Sequence, residues 1–242
     1  MSKSQVIKDN QHDINKLPSD GYLIFPLSMS RLQGGQGPEA CYQAIEYFEN
    51  KIKTVGIDGV FLYTNGLYYN NDESALTVRK RTNNQMLQHK NSFSGLVEKN
   101  KKYVPQAIHF LPWDYVVLNS PRFTEFIEIL KKLKDNNKEF KKLLENGLGE
   151  RETSEANISF LIEEIVVSHI IRQGMVNFPM TLVKKDNFRL IMYPDIYFEA
   201  DLYQWKNNIL PKNQECKNPY GAAHYDLSSH ILYKFDEIDL KK

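Results

Sequence analysis

Short apolar runs alternate with longer segments of mixed character through the first half of the chain. The first run, 22–27, is continuously apolar, which is typical of a strand buried on both faces of a parallel sheet. Similar runs follow at 60–63 and 107–111, and helices are predicted from Pro38 and from about 71–73, where acidic residues suit a helix N-terminus. The alternation predicts an α/β fold with a mainly parallel sheet flanked by helices.

The second half of the chain has mostly helical periods. Helices are predicted over about 121–134, 136–147 and 152–171. The apolar run 188–193 predicts a late strand, and a helical stretch follows at 195–207. Residues 1–20 are polar and lack periodicity, so we expect a flexible leader, whereas the tail after Pro211 is polar and turn-rich. No repeat or linker divides the remainder, and 21–242 is predicted to form a single domain.

Composition limits the classes of function. The 242 residues contain 31 Lys and Arg against 30 Asp and Glu, a formal net charge of +1, which excludes a uniformly polybasic protein. Cys41 and Cys216 lie far apart and are expected to be free thiols of a reducing compartment. No signal core and no apolar run of about 18 residues is present, so we expect a cytoplasmic protein that does not enter a membrane.

Several familiar catalytic motifs are missing. The segment Gly34-Gly35-Gln36-Gly37 follows a strand and precedes a helix, but it lacks the spacing of a dinucleotide fingerprint and the Lys-Ser/Thr ending of a P-loop. A flexible turn is therefore preferred over a phosphate cradle. The six histidines show no ligand spacing beyond a weak His224/His230 pair, so no metal is expected. The absence of a G-x-S-x-G motif argues against an α/β-hydrolase.

Three positions carry candidate chemistry. Ser28 follows the first apolar run, where the carboxyl ends of parallel strands form a ligand-binding crevice; it is either a nucleophile or merely turns the chain. Glu163 and Glu164 lie in an otherwise apolar helix, where a carboxylate is paired, functional or on a narrow wet strip. Tyr193-Pro194 ends the late strand; either it only terminates the strand, or the Tyr193 phenol faces the same crevice as Ser28.

The order of these motifs resembles that of the tRNA-dependent cyclodipeptide synthases. Ser28 follows the first strand, the helix contains Phe160-Leu-Ile-Glu163-Glu164, and Tyr193-Pro194 closes a strand. The likeness runs from about Gly21 to about Trp205. It implies a single Rossmann-like domain over 21–242, similar to the catalytic domains of class I tyrosyl- and tryptophanyl-tRNA synthetases, and it implies catalysis without a cofactor.

The family resemblance implies a role for each motif. Ser28 attacks the ester of one aminoacyl-tRNA, a second aminoacyl-tRNA reacts to give a dipeptidyl-enzyme, and cyclisation releases a diketopiperazine. Glu164 holds the substrate amine and acts as general base, and Tyr193 positions groups around the serine and is a candidate proton relay. Arg31 together with Tyr193-Pro194 is similar to the tyrosine-proline branch of the family.

One residue departs from the family pattern. The helical motif has tyrosine where this chain has Phe160, so one hydroxyl that would contact the substrate amine is missing. Either Glu164 acts with another group, or the helix is shifted by one residue and Ser159 and Glu163 form the pair. The apolar segment 165–167 that follows favours Glu164.

Two further sets of residues are expected to bind substrate. Analogy predicts that apolar residues line the pocket for the first aminoacyl group, which should be small or hydrophobic: Ile24, Val60, Leu62, Phe160, Val167, Ile191 and Pro194. The segment from Ser74 to Lys102 contains seven basic residues and one acidic residue, and this local charge of +6 suits phosphate binding. We expect tRNA contacts at Arg79, Lys80, Arg81 and Lys90, although a solvated helix face is the alternative.

Two other functions remain open from the sequence. The chain is alternatively a non-catalytic Rossmann module that binds tRNA, or a serine esterase or acyltransferase that acts on a small ester. The expected partners of the leading interpretation are two aminoacyl-tRNAs. A monomer is expected, although the sequence does not define the oligomeric state, the second amino acid or the oxyanion donors.

Overall fold

The computed structural model describes residues 21–52, 58–64, 74–100, 108–149, 152–176, 178, 189–193 and 198–238. The predicted leader 1–20, the expected helix start at 71–73 and Pro194 lie outside these residues. The chain divides into two compact units, one between residues 21 and 116 with Phe178, and the other over 117–176 and 189–238. The single domain over 21–242 stays a prediction.

The first unit contains three parallel strands in the order β3-β2-β1. They are β1 (Tyr22–Leu27), β2 (Asp58–Tyr63) and β3 (Ile108–Pro112). Helices follow the strands: α1 (Pro38–Ile52), α2 (Ala75–Asn100) and α3 (Trp113–Asn119). Every residue of β1 and β2 is buried, as the continuous apolar runs predict for strands of a parallel sheet.

The register gives the two faces of this sheet different character. Ile24 pairs with Val60 and lies on the same face as Leu62. The opposite face is aromatic: Phe61 makes edge contacts with Phe25 and with Phe93 of α2, with ring centroids 5.3 and 4.9 Å apart. Helix α2 therefore packs on the aromatic face.

The second unit is mainly helical. Its helices are α4 (Phe123–Asn136), α5 (Lys138–Gly147), α6 (Glu155–Arg172) and α7 (Phe198–Lys206), with a short strand β4 (Arg189–Ile191). Asn137 separates α4 from α5, because its extended backbone breaks the helix while its side chain accepts a hydrogen bond from the Phe140 N–H. Ser154 caps α6 in the same way through the Asn157 N–H.

The interpretation of the tail as polar and turn-rich is wrong for its last part. Residues after Pro211 form an antiparallel hairpin of β5 (Ala223–Asp226) and β6 (Ile231–Lys234). Leu232 and Tyr233 are buried, and Tyr233 joins a cluster with Leu202 and Trp205 of α7. Burial of these apolar side chains, and not only turn chemistry, orders the tail.

The predicted fold class is confirmed. The strands β1, β2 and β3 are parallel, and helices alternate with them along the chain. The helices predicted over 121–134, 136–147 and 152–171 correspond to α4, α5 and α6 within a few residues.

Candidate active site

Ser28 lies directly after the carboxyl end of β1 and is fully buried. Its carbonyl accepts a hydrogen bond from the Arg31 N–H at 2.9 Å, which begins a 3-10 turn (Met29–Arg31), and its side chain makes no capping bond to that turn. Next to Ser28, the ends of β1 and β2 are linked by hydrogen bonds, since the Thr64 hydroxyl and N–H both donate to the Leu27 carbonyl at 3.0 Å. The backbone position of Ser28 is therefore fixed on both sides.

The glycine-rich segment forms a closed turn. The amides of Gly34 and Gln36 donate to the Arg31 carbonyl, and the Gly37 amide donates to the Gly34 carbonyl at 2.8 Å. Because these amides are used within the turn, they do not cradle a phosphate, which agrees with the preferred interpretation of the sequence. A Cβ atom at Gly37 would lie 3.1 Å from the Gly34 carbonyl oxygen, so a side chain at this position would require the turn to shift by a few tenths of an ångström.

A buried polar cluster lies between this turn and α2. His89 of α2 contacts the Tyr63 hydroxyl through Nδ1 at 2.8 Å and the Gln36 carbonyl through Nε2 at 3.2 Å. The Sγ atom of Cys41 lies 3.4 Å from the same carbonyl. Burial lowers the pKa of His89 and raises the pKa of the Cys41 thiol to about 12. The cluster is thus uncharged near neutral pH.

Sequence reasoning missed this cluster. Its members are distant in sequence, and His89 has no metal-ligand spacing to another histidine that would single it out. The one available signal is the position of Tyr63, the last residue of a buried strand, where a phenol needs a hydrogen-bond partner.

A cavity of about 450 Å³ opens beside the same turn. Its walls are the segment 32–39 and one face of α2, with polar side chains from Gln33, Glu39, Gln85, Gln88 and Ser92. None of the residues predicted to line the aminoacyl pocket borders this cavity.

In the second unit, α6 places Glu164 and Glu163 in different environments. Glu164 is only 2% exposed, whereas Glu163 and Ser159 are partly exposed. Phe160 lies one turn before Glu164 and Val167 nearly one turn after it, so all three share a helix face. Glu164 therefore does not lie on a solvent-exposed strip of the helix, so that alternative is wrong for this residue. Ser159 and Glu163, the alternative pair, lie on the less buried face of α6.

Tyr193 is fully buried two residues after β4. Its N–H donates to the Tyr225 carbonyl at 3.1 Å, and Met192 forms a parallel bridge with Tyr225. The backbone of Tyr193 is therefore held by β5, a strand that the sequence did not predict.

The predicted pocket residues are buried in their own units. Ile24, Val60 and Leu62 share one face of the three-stranded sheet and are fully buried. Val167 and Ile191 are equally buried in the second unit, where α6 packs against β4. Pro194 lies outside the described residues.

The predicted phosphate-binding residues are exposed on α2. Arg79, Lys80, Arg81 and Lys90 all face solvent to a large extent. Arg79 forms an exposed ion pair with Asp114 at 3.3 Å, and the Lys90 ammonium lies 5.2 Å from the centre of the Phe110 ring. The helix contains one acidic residue, Glu98, near its end, so its exposed surface is basic.

Within the part of the chain that the structure describes, no group of three or more His, Cys, Asp and Glu side chains is arranged to hold a metal ion. No helix among the same residues is long and apolar enough to cross a bilayer.

Similarity to known proteins is found at the level of structure. No protein-family model matches the sequence, and no curated protein matches it. The fold is similar to that of a cyclodipeptide synthase from Bacillus thermoamylovorans, with a TM-score of 0.52 and 11% identity over 88% of this chain and 96% of that one.

Two further structures give the same result. The cyclodipeptide synthase of Candidatus Glomeribacter gigasporarum, solved with Phe-tRNAPhe bound, has a TM-score of 0.51 and 13% identity over 90% of this chain and 89% of that one. A CDPS from Fluoribacter dumoffii has a TM-score of 0.51 and 13% identity over 80% of this chain and 89% of that one. The resemblance inferred from the sequence is thus confirmed for the Rossmann-like fold.

Proposed function

We propose that this protein is a cyclodipeptide synthase that joins the aminoacyl groups of two aminoacyl-tRNAs through a covalent aminoacyl-Ser28 intermediate. The observation that carries the proposal is the place of Ser28, buried at the carboxyl end of β1 in a chain whose fold is like those of cyclodipeptide synthases along most of its length. The Phe-tRNA bound to one of those enzymes supports aminoacyl-tRNA as the substrate.

The proposed reaction needs no external energy source, because the aminoacyl ester is already activated. The Ser28 Oγ attacks the ester carbonyl, the bond to the terminal ribose oxygen of the tRNA breaks, and the serine proton passes to that oxygen. The amine of aminoacyl-Ser28 then attacks the ester carbonyl of the second aminoacyl-tRNA, the bond to that tRNA's ribose oxygen breaks, and the proton lost by the amine passes to this oxygen as the free tRNA leaves. The new terminal amine of the dipeptidyl-enzyme attacks the Ser28 ester, which closes the ring and returns the proton to Oγ.

Glu164 is the proposed base for these amine steps. Its burial supports this role over Glu163, since a carboxylate removed from water binds a substrate ammonium more strongly. Phe160 offers an apolar surface one turn away and Val167 a second one, which suits an apolar aminoacyl group beside the amine. Tyr193, held through its backbone by β5, is the proposed positioning phenol and proton relay.

The first aminoacyl group is proposed to be small or hydrophobic. Ile24, Val60 and Leu62 form a continuous apolar face, and Val167 and Ile191 are apolar and buried. Such surfaces separate side chains that differ by one methylene by only about 1–3 kcal/mol, so several related products are expected.

The exposed basic face of α2 is the proposed tRNA contact. Lys80, Arg81 and Lys90 are carried by a helix with a single acidic residue at its end, which favours phosphate binding over internal ion pairing. Arg79 is a weaker contributor in this proposal, because it is paired with Asp114.

The test is expression in bacteria followed by mass spectrometry of the medium. Wild type should yield diketopiperazines, and Ser28→Ala should yield none and should fail to retain a labelled aminoacyl group; Ser30→Ala is the control at a neighbouring serine. Binding of tRNA without any cyclic product would favour a non-catalytic module. Hydrolysis of small esters without cyclic product would favour an esterase.

A further inference from the structure

The side chain of Gln36 forms hydrogen bonds with the backbone at the end of β1, where the proposed nucleophile Ser28 lies. Its side-chain Oε1 accepts a hydrogen bond from the Ser28 N–H at 2.7 Å. Its Nε2 group donates a longer hydrogen bond, of 3.4 Å, to the Pro26 carbonyl. Gln36 is 5% exposed, so water does not replace these bonds readily. One amide side chain thus links the turn to the residues that flank Leu27.

The backbone of Gln36 is held from the opposite side. Its carbonyl lies 3.2 Å from His89 Nε2 and 3.4 Å from Cys41 Sγ. A carbonyl oxygen only accepts hydrogen bonds, so both groups are donors. The neutral ring of His89 then carries its proton on Nε2, and Nδ1 accepts the hydrogen bond of the Tyr63 hydroxyl at 2.8 Å.

The Gln36 carbonyl, which can only accept, fixes the direction of the hydrogen bonds on both sides of the His89 ring. The chain runs from the Tyr63 hydroxyl through His89 to the Gln36 carbonyl, while the Gln36 side chain receives the Ser28 N–H. Burial lowers the pKa of His89 and raises the pKa of the Tyr63 phenol, which keeps both groups neutral. Neutral partners with assigned directions form one rigid arrangement, because reversing any bond would bring two acceptors or two donors together.

We propose that Gln36 is a positioning residue for the Ser28 nucleophile and that His89 holds Gln36 in place. The inference rests on the proposed function, since it assumes that Ser28 is acylated. Holding the Ser28 nitrogen sets the direction of the Cα–Cβ bond and hence the place of Oγ. A misplacement of a reacting atom by about 1 Å costs on the order of 100-fold in rate, so a hydrogen bond of this kind matters for acyl transfer.

The Ser28 N–H has a further consequence for the reaction. Because it is donated to Gln36, it is not directed at an acyl oxygen bound to the same serine. Stabilisation of the oxyanion then comes from other donors. Gln36 therefore acts through Ser28 and does not contact the reacting atoms.

The test compares Gln36→Met, which keeps the side-chain volume and removes both hydrogen bonds, with Gln36→Glu, which keeps the acceptor for Ser28 and, in the protonated form that burial favours, a donor to the Pro26 carbonyl. The control is Gln33→Ala, an exposed glutamine of the same segment. Single-turnover acylation by labelled aminoacyl-tRNA should fall about 10- to 100-fold in Gln36→Met, with KM for the charged tRNA within about threefold of wild type. Gln36→Glu should recover most of the rate, and Gln33→Ala should match wild type.

A second measurement separates this inference from the proposed function. The Ser28 amide should be protected from hydrogen exchange in the wild type and should exchange at least about tenfold faster in Gln36→Met. Tyr63→Phe removes only the hydrogen bond from the Tyr63 hydroxyl to His89 and should slow acylation about two- to fivefold. This variant tests the positioning role if Gln36→Met is poorly folded. Protection of the amide without any acylation overturns the proposed function. An unprotected amide, or normal acylation in Gln36→Met and Tyr63→Phe, overturns the positioning role.

Discussion

The Arg172 guanidinium donates a hydrogen bond to the Asp201 carboxylate at 2.8 Å, and neither side chain is exposed to solvent. Gln204 Nε2 donates to the same carboxylate oxygen at 3.0 Å, and the guanidinium lies 5.0 Å from the centre of the Phe235 ring. The end of α6 is thereby connected to α7, the helix against which the hairpin cluster packs.

Removing one member of this pair should destabilise the protein strongly. Asp201→Asn leaves a buried guanidinium without its counter-ion, so the free energy of unfolding should fall by about 3–5 kcal/mol. Urea denaturation monitored by circular dichroism measures this free energy of unfolding. Glu155→Gln, which removes the charge of the exposed carboxylate paired with Lys134, is the control and should change the same quantity by less than about 1 kcal/mol. Equal effects would show that burial of the pair is unimportant.

His169 should make stability depend on pH. It is fully buried, with Nε2 3.0 Å from the Pro211 carbonyl, and burial lowers its pKa to about 4. Below the unfolded pKa of about 6.5 the unfolded chain binds a proton that the folded chain excludes. Stability from this group is complete above about pH 6.5 and is lost as the pH falls toward 4, by about 3 kcal/mol in total.

The measurement is the difference in unfolding free energy between pH 7 and pH 4.5 for wild type and His169→Gln. The variant should lose less stability on acidification, although it is less stable at pH 7. His230→Asn, at an exposed position with positive φ, is the control and should keep the wild-type pH dependence. Identical pH dependence in wild type and His169→Gln would contradict the assignment.

The two neighbouring carboxylates should differ in their effect on activity. Glu164→Gln removes the proposed base and should lower the rate of cyclic dipeptide formation by about 100-fold or more. Glu163→Gln changes a partly exposed side chain and should stay within about threefold of wild type. Rates with purified charged tRNA, together with melting temperatures, provide the comparison. The reverse order of effects would move the base to Glu163 and the motif by one residue.

Neutralising the basic face of α2 should flatten the salt dependence of tRNA binding. Each lost phosphate contact lowers the slope of log affinity against log salt by about one, so the triple variant Lys80→Gln, Arg81→Gln, Lys90→Gln should lower it by about two to three. Binding is measured between low and moderate salt. Lys142→Gln, at an exposed position of α5, should leave the slope unchanged. A slope unaffected by the triple variant would remove α2 from the tRNA contact.

Alanine should be tolerated at one glycine of the turn and not at another. In Gly37→Ala the new Cβ atom would lie 3.1 and 3.2 Å from two backbone carbonyl oxygens, so the turn that carries Gln36 must shift. Acylation should slow by about tenfold or more. Gly35→Ala meets nothing within 4 Å and should act like wild type. Comparable rates in the two variants would show that the turn geometry does not control Ser28.

Much of the architecture was predictable because it depends on periodic patterns. Apolar runs located β1 and β2, and their parallel order placed Ser28 at a carboxyl end. The hairpin was not predicted because its strands have only four residues each and mix polar and apolar side chains. The different burial of Glu163 and Glu164 is visible only in the packing of α6, since adjacent residues on a nearly all-apolar helix do not differ in their hydrophobic pattern.

The support of Ser28 could not be predicted for a different reason. The Gln36 contact joins a side chain to a backbone nitrogen eight residues away, and no composition or spacing marks it. His89 comes from a helix 53 residues beyond Gln36 in the chain. Such contacts arise only when the tertiary fold brings these groups together, which a one-dimensional pattern does not encode.

The bond between Tyr193 and Tyr225 also has a consequence for the order in which the protein matures on the ribosome. The groups that hold Ser28, namely Gln36, Tyr63 and His89, are all translated within the first 89 residues, whereas the carbonyl that accepts the Tyr193 N–H is translated 32 residues after Tyr193 itself. A chain whose synthesis stops before β5 would contain every group that fixes the serine and lack the partner of Tyr193. Translation thus supplies the residues that hold Ser28 early and the residue that holds the Tyr193 backbone late.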